Sequence, residues 1–345
     1  MMKRSLLGLI VCLSLGLATE AAKAQSGALI PIKAGYFKGS ILTLTNDVAV
    51  AQGFYKKHGL EVELINFSSG PDELNALVSG GIDVLTWTAT PIMKVNAKGL
   101  DIQAINPNVG APAYSLVARK DVDRPNRDKP YPQNILDLKG KVIGVPARGA
   151  DIEMVGRLFL KEAKLDPDRD VTWLAVGATP TGIAAFKAKR IDYLIAWEPG
   201  QTLLVDVEKI GDMMVDQRKG EGSPLFKRFI SNVSAARRSQ LEKEPEKFRR
   251  YAAAMVETLQ FMKKPENFER VLQIFKSMSG LDESTLRLML KNNIQYFDPK
   301  LDCKALENVA DFGVQIGDIP ADKKPTCKSF VWEQSHKYTD LASGK

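Results

Sequence analysis

Histidine and cysteine are scarce in this 345-residue chain, with two of the first and three of the second. His58 and His336 have no clustered partners, and no C-x-x-C pair occurs. Neither a metal centre nor a thiol nucleophile is therefore indicated. No Ser-His-Asp set is visible. The one loop that resembles a phosphate cradle, GVPARG, lacks the lysine and spacing of a P-loop. No catalytic group and no cofactor is expected. Basic residues outnumber acidic ones, for a formal charge of +7, but no basic run is interleaved with aromatics. That pattern does not suggest nucleic acid. Past the N-terminus, no apolar run approaches the roughly 18–20 residues that a membrane span needs.

The first residues, MMKRSLLGLIVCLSLGLATEAAKA, carry early charges at Lys3 and Arg4, an apolar stretch from Leu6 to Leu17, and the small-residue pattern Ala22-Lys23-Ala24. This is the grammar of a secretory signal peptide (residues 1–24), cut after Ala24 so that the mature chain starts at Gln25. Cys12 does not mark a lipidation site, because Val11 stands where a small residue is wanted. Removal of the segment takes away Lys3, Arg4, Lys23 and Glu20, which leaves a mild +5. The remaining pair, Cys303 and Cys327, most simply forms one disulfide in an oxidising compartment. About 320 residues of ordinary composition suffice for two lobes.

One short pattern is written twice. GGIDVLTW (80–87) and KRIDYLIAW (189–197) each run Ile-Asp-x-Leu towards a tryptophan, with the aspartates 109 residues apart. Both copies have the same setting. In the first, IPIKAGYF (30–37) predicts a strand, VAVAQGFYKKHGL a helix with His58 complementing its C-terminal dipole, and LEVELINF (60–67) a second strand. DELNALVSG predicts a helix that stops at Gly80-Gly81, before the Ile-Asp turn and a buried strand. In the second, VIGV, an amphipathic helix, VTWLAV and the helix TGIAAFKAKR lead to Ile191-Asp192 and the strand YLIA. Each copy is therefore a βαβαβ unit, the signature of a mostly parallel sheet flanked by helices. AYSLVARKD (113–121) and the returning strand in FKRFISNVSAARRSQ (226–240) are expected to be the two crossings. Lobe one then holds about 28–120 plus 226–345, and lobe two 121–225. The C-terminal third predicts three helices with packing faces: PEKFRRYAAAMVETLQFMKK, NFERVLQIFKSMSG, and DESTLRLMLKNN with an Asp/Ser cap.

An exported chain with GYFKGS, YKKHGLEVELINFSSGPDELNALVSGGIDV, ILDLKGKVIGVP and KRIDYLIAWEP resembles the periplasmic substrate-binding proteins of ABC importers. The likeness is to the branch named for nitrate, sulfonate, taurine and thiamine-precursor binding, and it covers about residues 30–240. It implies a type II periplasmic-binding-protein-like α/β fold with a ligand cleft between two lobes and extra C-terminal helices. It also implies a monomer that closes about a hinge on a small molecule and delivers it to an ABC permease in the inner membrane. The motif order is specific for the family and says little about the ligand. The long loop DRPNRDKPYPQN departs from the family pattern and blurs the hinge-side boundary. The resembled fold includes an enzyme that forms the thiamine pyrimidine with a cysteine-rich motif; no such motif occurs in this chain. A sensor that signals to a membrane receptor would use the same closing lobes, and a binder of thiamine-related pyrimidines the same fold.

In open α/β sheets, ligands bind at the carboxyl ends of the strands. The strand-end loops name the residues expected to face the cleft: Lys38 and Ser40, Ser69, Trp87, Thr88 and Thr90 from lobe one, and Arg148, Thr179, Trp197 and Glu198 from lobe two. Helix-start N–H groups assisted by hydroxyls suit an anion. Each member has a plainer alternative. Trp87 and Trp197 either complete the core or face the ligand. Arg148 and Lys38 either meet a charge or are merely solvated. Glu198 either accepts from an amine or hydroxyl of the ligand or pairs with a base. As a set, the hydroxyls favour an oxygen-rich headgroup and the aromatics a flat or aliphatic body. An organic sulfonate or carboxylate, anionic or zwitterionic, fits both.

Overall fold

The structure is a computed structural model, and it describes residues 28–335. The expected signal peptide, Cys12 and His336 lie outside the described residues. Ten strands form two mixed sheets. In the first lobe, β1 (Ile30–Tyr36) pairs in parallel with β2 (Leu60–Asn66), Ile30 opposite Leu60. A parallel bridge from Ala34 to Val84 links β1 to β3 (Leu85–Thr88). β10 (Asn232–Arg237) then lies antiparallel between β3 and β4 (Ile102–Val109). The second sheet contains β5 (Ser115–Arg119), β6 (Val142–Val145), β7 (Thr172–Ala175), β8 (Tyr193–Ala196) and β9 (Gly211–Asp216), in the order β7-β6-β8-β5-β9.

The two orders, β2-β1-β3-β10-β4 and β7-β6-β8-β5-β9, are the same plan. In each, a parallel βαβαβ unit receives one antiparallel strand that arrives from the other side of the molecule. This assigns β5 to the second sheet, where it pairs with β8 and β9. The sequence reading had kept residues up to 120 in lobe one. The chain instead leaves the first sheet at 110–114 and returns across 217–231. The continuous apolar run Leu116-Val117-Ala118 cannot tell one sheet from the other, because a buried strand reads the same in either.

The repeated Ile-Asp now has a structural explanation. Lys33 N in β1 donates to Asp83 Oδ2 at 2.8 Å, and Asp83 N returns a bond to Lys33 O at 2.8 Å. Val142 N in β6 donates to Asp192 Oδ2 at 2.9 Å, and Asp192 N bonds Val142 O at 2.8 Å. Each aspartate thus clamps the first strand of its lobe to the third, and each meets a base, Lys247 at 3.2 Å and Arg119 at 3.5 Å. Ile82 and Ile191 are buried beneath the clamps.

Local departures from the sequence reading have simple causes. The helix expected through 48–58 is two pieces, Leu44–Ala51 and Phe54–Lys57, because Gly53 adopts a left-handed conformation (φ 72°) that ends the first. His58 caps the second piece and lies 2.8 Å from Glu257. Phe226–Ile230 is not strand, so the return to lobe one begins only at Asn232. The loop before lobe two packs onto that lobe: Asp137 accepts from Asn126 N, and Tyr193 OH donates to Asp137 O at 3.2 Å. The three expected C-terminal helices are Pro245–Lys263, Phe268–Met278 and Glu283–Asn293, the last capped by Asp282. Cys303 and Cys327 are joined, which ties the helix Cys303–Gln315 to the short helix Cys327–Phe330. Among the described residues, no helix is long and apolar enough to cross a membrane.

Candidate functional site

The carboxyl ends of the parallel strands in both sheets open towards the two crossings, and the loops that follow them carry the residues expected to face a cleft. Their positions differ. Ser40 caps the turn Ile41–Thr43, accepting from Leu42 N at 3.3 Å. Ser69 caps the helix Gly70–Ser79, accepting from Asp72 N at 3.3 Å and donating to Asp72 Oδ2 at 2.6 Å, so its hydroxyl is engaged within its own helix. Lys38 is exposed, with its backbone N–H bound to Asn66 Oδ1 at 2.8 Å. The Trp87 ring lies flat against the backbone of Gly70: a Cβ there would fall 2.0 Å from the indole. Half-buried, it joins two strand-end loops of lobe one.

In lobe two, Arg148 donates through Nε to Glu153 at 3.0 Å, and Gly149 N donates to the same carboxylate at 2.7 Å. Glu153 also accepts from Arg157 Nε at 2.7 Å. Arg148 is therefore matched by an acid of the helix it precedes, Asp151–Glu162. Glu198 has both oxygens occupied. Arg218 Nη1 and Asn293 Nδ2 each lie 2.9 Å from Oε1, the Thr202 hydroxyl 3.0 Å, and Thr202 N donates to Oε2 at 3.2 Å. Asp216 meets the same guanidinium at 2.8 and 2.9 Å. Of the two roles open to Glu198, pairing with a base is the one the geometry displays. Asn293 comes from the last turn of a helix packed on lobe one, and its neighbour Asn292 bonds Asp206 at 2.9 Å. This cluster thus ties the lobes together beside the hinge.

Three hollows lie against the strand-end loops and crossings. Thr88 and Thr90 line one at the lobe junction, across from Asp151 and beside Gln217. Trp197 and Glu198 line a second with Ile41, Leu42 and Arg218. Thr179 and Trp197 line a third on lobe two. The loops after β3, β6, β8 and β9 are thus brought together around Pro112 and Ala113 of the first crossing. Lys38, Ser40, Ser69, Trp87 and Arg148 line none of these three.

The helix starts are not electrostatically equal. The first turn of Asp151–Glu162 holds Asp151 and Glu153, and that of Gly70–Ser79 holds Asp72 and Glu73. Asp72 and Glu153 answer the positive end of the dipole. The helices Ala89–Ala97 and Thr179–Lys187 have no acid in the first turn and no side-chain cap. Their starts remain able to attract an anion. Burial pushes the Asp151 carboxyl above its usual range; the charge of Asp318 adds to this and Lys94 opposes it. Among the described residues, no group of three His, Cys, Asp or Glu is placed to hold a metal.

From the loop after β6 the sequence reading names Arg148 and passes over Asp151, three residues on. It gave no weight to Gln217, Arg218 or Asn293. Those three lie on a crossing and at a helix end, where neither periodicity nor motif distinguishes a site residue from a surface one.

Comparisons with known proteins agree with this architecture. The chain is 25% identical over 289 residues to the taurine-binding periplasmic protein of Escherichia coli (strain K12), covering 78% of this chain and 82% of that protein. The structure matches the periplasmic aliphatic sulphonate binding protein SsuA from Escherichia coli at a TM-score of 0.69 and 17% identity, over 90% of this chain and 100% of the other. It also matches the desulfurization enzyme DSZB at a TM-score of 0.63 and 14% identity, over 90% of this chain and 99% of that one. The fold is therefore that of periplasmic binding proteins, and it is shared by at least one enzyme. The match that assigns the family spans both lobes and all four of the expected motifs: residues 35–276 fit the NMT1-like family, and the chain belongs to it.

Proposed function

We propose that this chain is the periplasmic solute-binding component of an ABC importer, capturing a small organic anion, a sulfonate or carboxylate, by closing its two lobes. The observation that carries this reading is the mirrored plan of the sheets. Both turn their strand-end loops towards the same crossings, and each contributes one helix start without a first-turn acid, Ala89–Ala97 and Thr179–Lys187. An anion held between such starts gains roughly 0.3–2 kcal/mol from each dipole. The Thr179 hydroxyl and the Trp197 ring add contacts, and the sum is of the order needed for micromolar affinity, about −8 kcal/mol. Only the closed arrangement offers both halves, so ligand selects it. The taurine- and sulfonate-binding names of its relatives support the ligand class, and they support binding rather than catalysis.

A melting scan of the chain from Gln25 against sulfonates, carboxylates, nitrate and thiamine-related pyrimidines tests this. Ligand at about a thousand times its dissociation constant adds roughly 4 kcal/mol, a shift of several degrees. A selective rise with one class of acid is expected. A flat response to every acid would refute the reading.

A further inference from the structure

The hollow at the lobe junction contains an unanswered polar side chain. Gln217 is fully buried, and neither Oε1 nor Nε2 has a hydrogen-bond partner among the described residues. Because both amide atoms lack partners, the conclusion does not depend on which way the amide is turned. A buried donor and acceptor left unmet each cost about 1–3 kcal/mol. Such a group is retained where something answers it.

What surrounds Gln217 restricts that partner. Asp151 faces the same hollow, and no hydrogen bond or ion pair among the described residues holds its carboxylate. The nearby cation, Lys94, is instead paired with Asp318 at 2.7 Å. Phe226 and Phe312, both buried with rings 5.3 Å apart, form an apolar wall, and Thr88 and Ser231 complete the lining from lobe one. The hollow has about 20 Å³ of room. That admits one water-sized group, the size of an ammonium. An anion here would sit against Asp151.

We propose that this hollow is the subsite for an amine, so that the ligand is a zwitterion whose ammonium enters between Gln217 and Asp151 while its acid remains in the wider cleft. The ammonium donates to Gln217 Oε1 and to the Asp151 carboxylate, and its third N–H reaches a hydroxyl of Thr88 or Ser231. Gln217 Nε2 is left to donate to the acid end of the same molecule. Gln217 is thus the residue that sets specificity, because it is the neutral member that lets a cation enter without a second buried charge. This inference rests on the reading of the chain as a receptor for small acids.

Calorimetric titration of the mature protein with matched pairs tests it: taurine against ethanesulfonate, and 3-aminopropanoate against propanoate. The expected result is that the amino member of at least one pair binds tenfold or more tighter, and that Gln217→Leu or Asp151→Asn reduces the difference to threefold or less. The wild-type comparison needs no variant, so a misfolded substitution leaves the test intact. Equal affinity within the pairs, or preference for the member without nitrogen, would assign the hollow to a water molecule and overturn the inference. Binding of other acids with none of these four bound also overturns it while leaving the receptor reading in place. If no acid binds at all, both fall together.

Discussion

Glu73 makes the stability of lobe one depend on pH in an unusual direction. Its side chain is fully buried under β1 and β3, with Oε1 accepting from Thr86 N at 2.8 Å and Oε2 without a partner among the described residues. Burial raises its pKa from 4.5 to about 8, and the Thr86 bond only partly opposes this. A carboxyl whose pKa is raised by folding favours the native state at low pH. Its contribution is fully present below about 4.5, where the unfolded chain is also protonated, and is lost as pH rises through the folded value near 8. At about 1.4 kcal/mol per pH unit, the loss is roughly 3 kcal/mol by pH 7 and approaches 5 kcal/mol above pH 8. Glu73→Gln keeps the acceptor for Thr86 N and removes the ionisation. Urea unfolding of both proteins across pH 4.5–9 should show curves that meet at the acid end and diverge upward, the variant being more stable by several kcal/mol at pH 8.5. In a melt this is of the order of 10 °C. Asp47, raised to about 7 by burial against the opposing pull of Lys38, titrates in both proteins and cancels in the difference. Parallel curves would refute the burial argument for Glu73.

The paired aspartate clamps and the disulfide offer two further checks. Asp83→Ala and Asp192→Ala each strand a backbone N–H, that of Lys33 or Val142, and take one of two acidic partners from a base, Lys247 keeping Glu244 and Arg119 keeping Asp121. Each should cost about 1–3 kcal/mol in urea unfolding while changing ligand affinity less than threefold. An affinity loss of tenfold in either would mean that the echo belongs to the site. Reduction of Cys303–Cys327, 24 residues apart, should lower stability by about 3 kcal/mol through freedom restored to the unfolded chain. An unchanged unfolding midpoint in reductant would show that the helix Cys303–Gln315 is held by its apolar face alone.

Where sequence reading succeeded, the local pattern and the global fold made the same demand. The strands VIGV and YLIA are short, apolar and bounded by glycine or a turn, and β6 and β8 occupy those residues. The capped helix Glu283–Asn293 carried its start signal, Asp282, in plain view. It went astray where one local pattern serves two global placements. The apolar run in 115–119 does not reveal which sheet the strand enters, and a glycine in a helical run, Gly53, became a break only through its left-handed backbone. For the site, residue type and strand-end position were not enough. Ser69 and Arg148 have the right chemistry in the right loops, yet their polar atoms are bound by Asp72 and Glu153 three and five residues on. Whether a side chain is free for a ligand depends on neighbours that a motif does not specify.

The two halves of the molecule therefore share a scaffold and differ in what they offer a ligand. The Ile-Asp echo recurs because both sheets need the same clamp between first and third strands, and the same strand order follows in each. The helix starts repeat their charges at two of three equivalent positions and differ at the third. After β1 and β6 the start holds acid in both lobes, Asp47 in one and Asp151 and Glu153 in the other, and after β3 and β8 it is free of acid in both. After β2 it holds Asp72 and Glu73, whereas after the equivalent β7 it is free of acid. A cleft built from two identical edges would present positive potential on both sides and suit an inorganic anion. This one alternates starts that attract an anion with starts that already hold carboxylates. Such a pattern fits a molecule with charge of both signs, and the unpaired amide of Gln217 lines the same hollow as the carboxylate of Asp151.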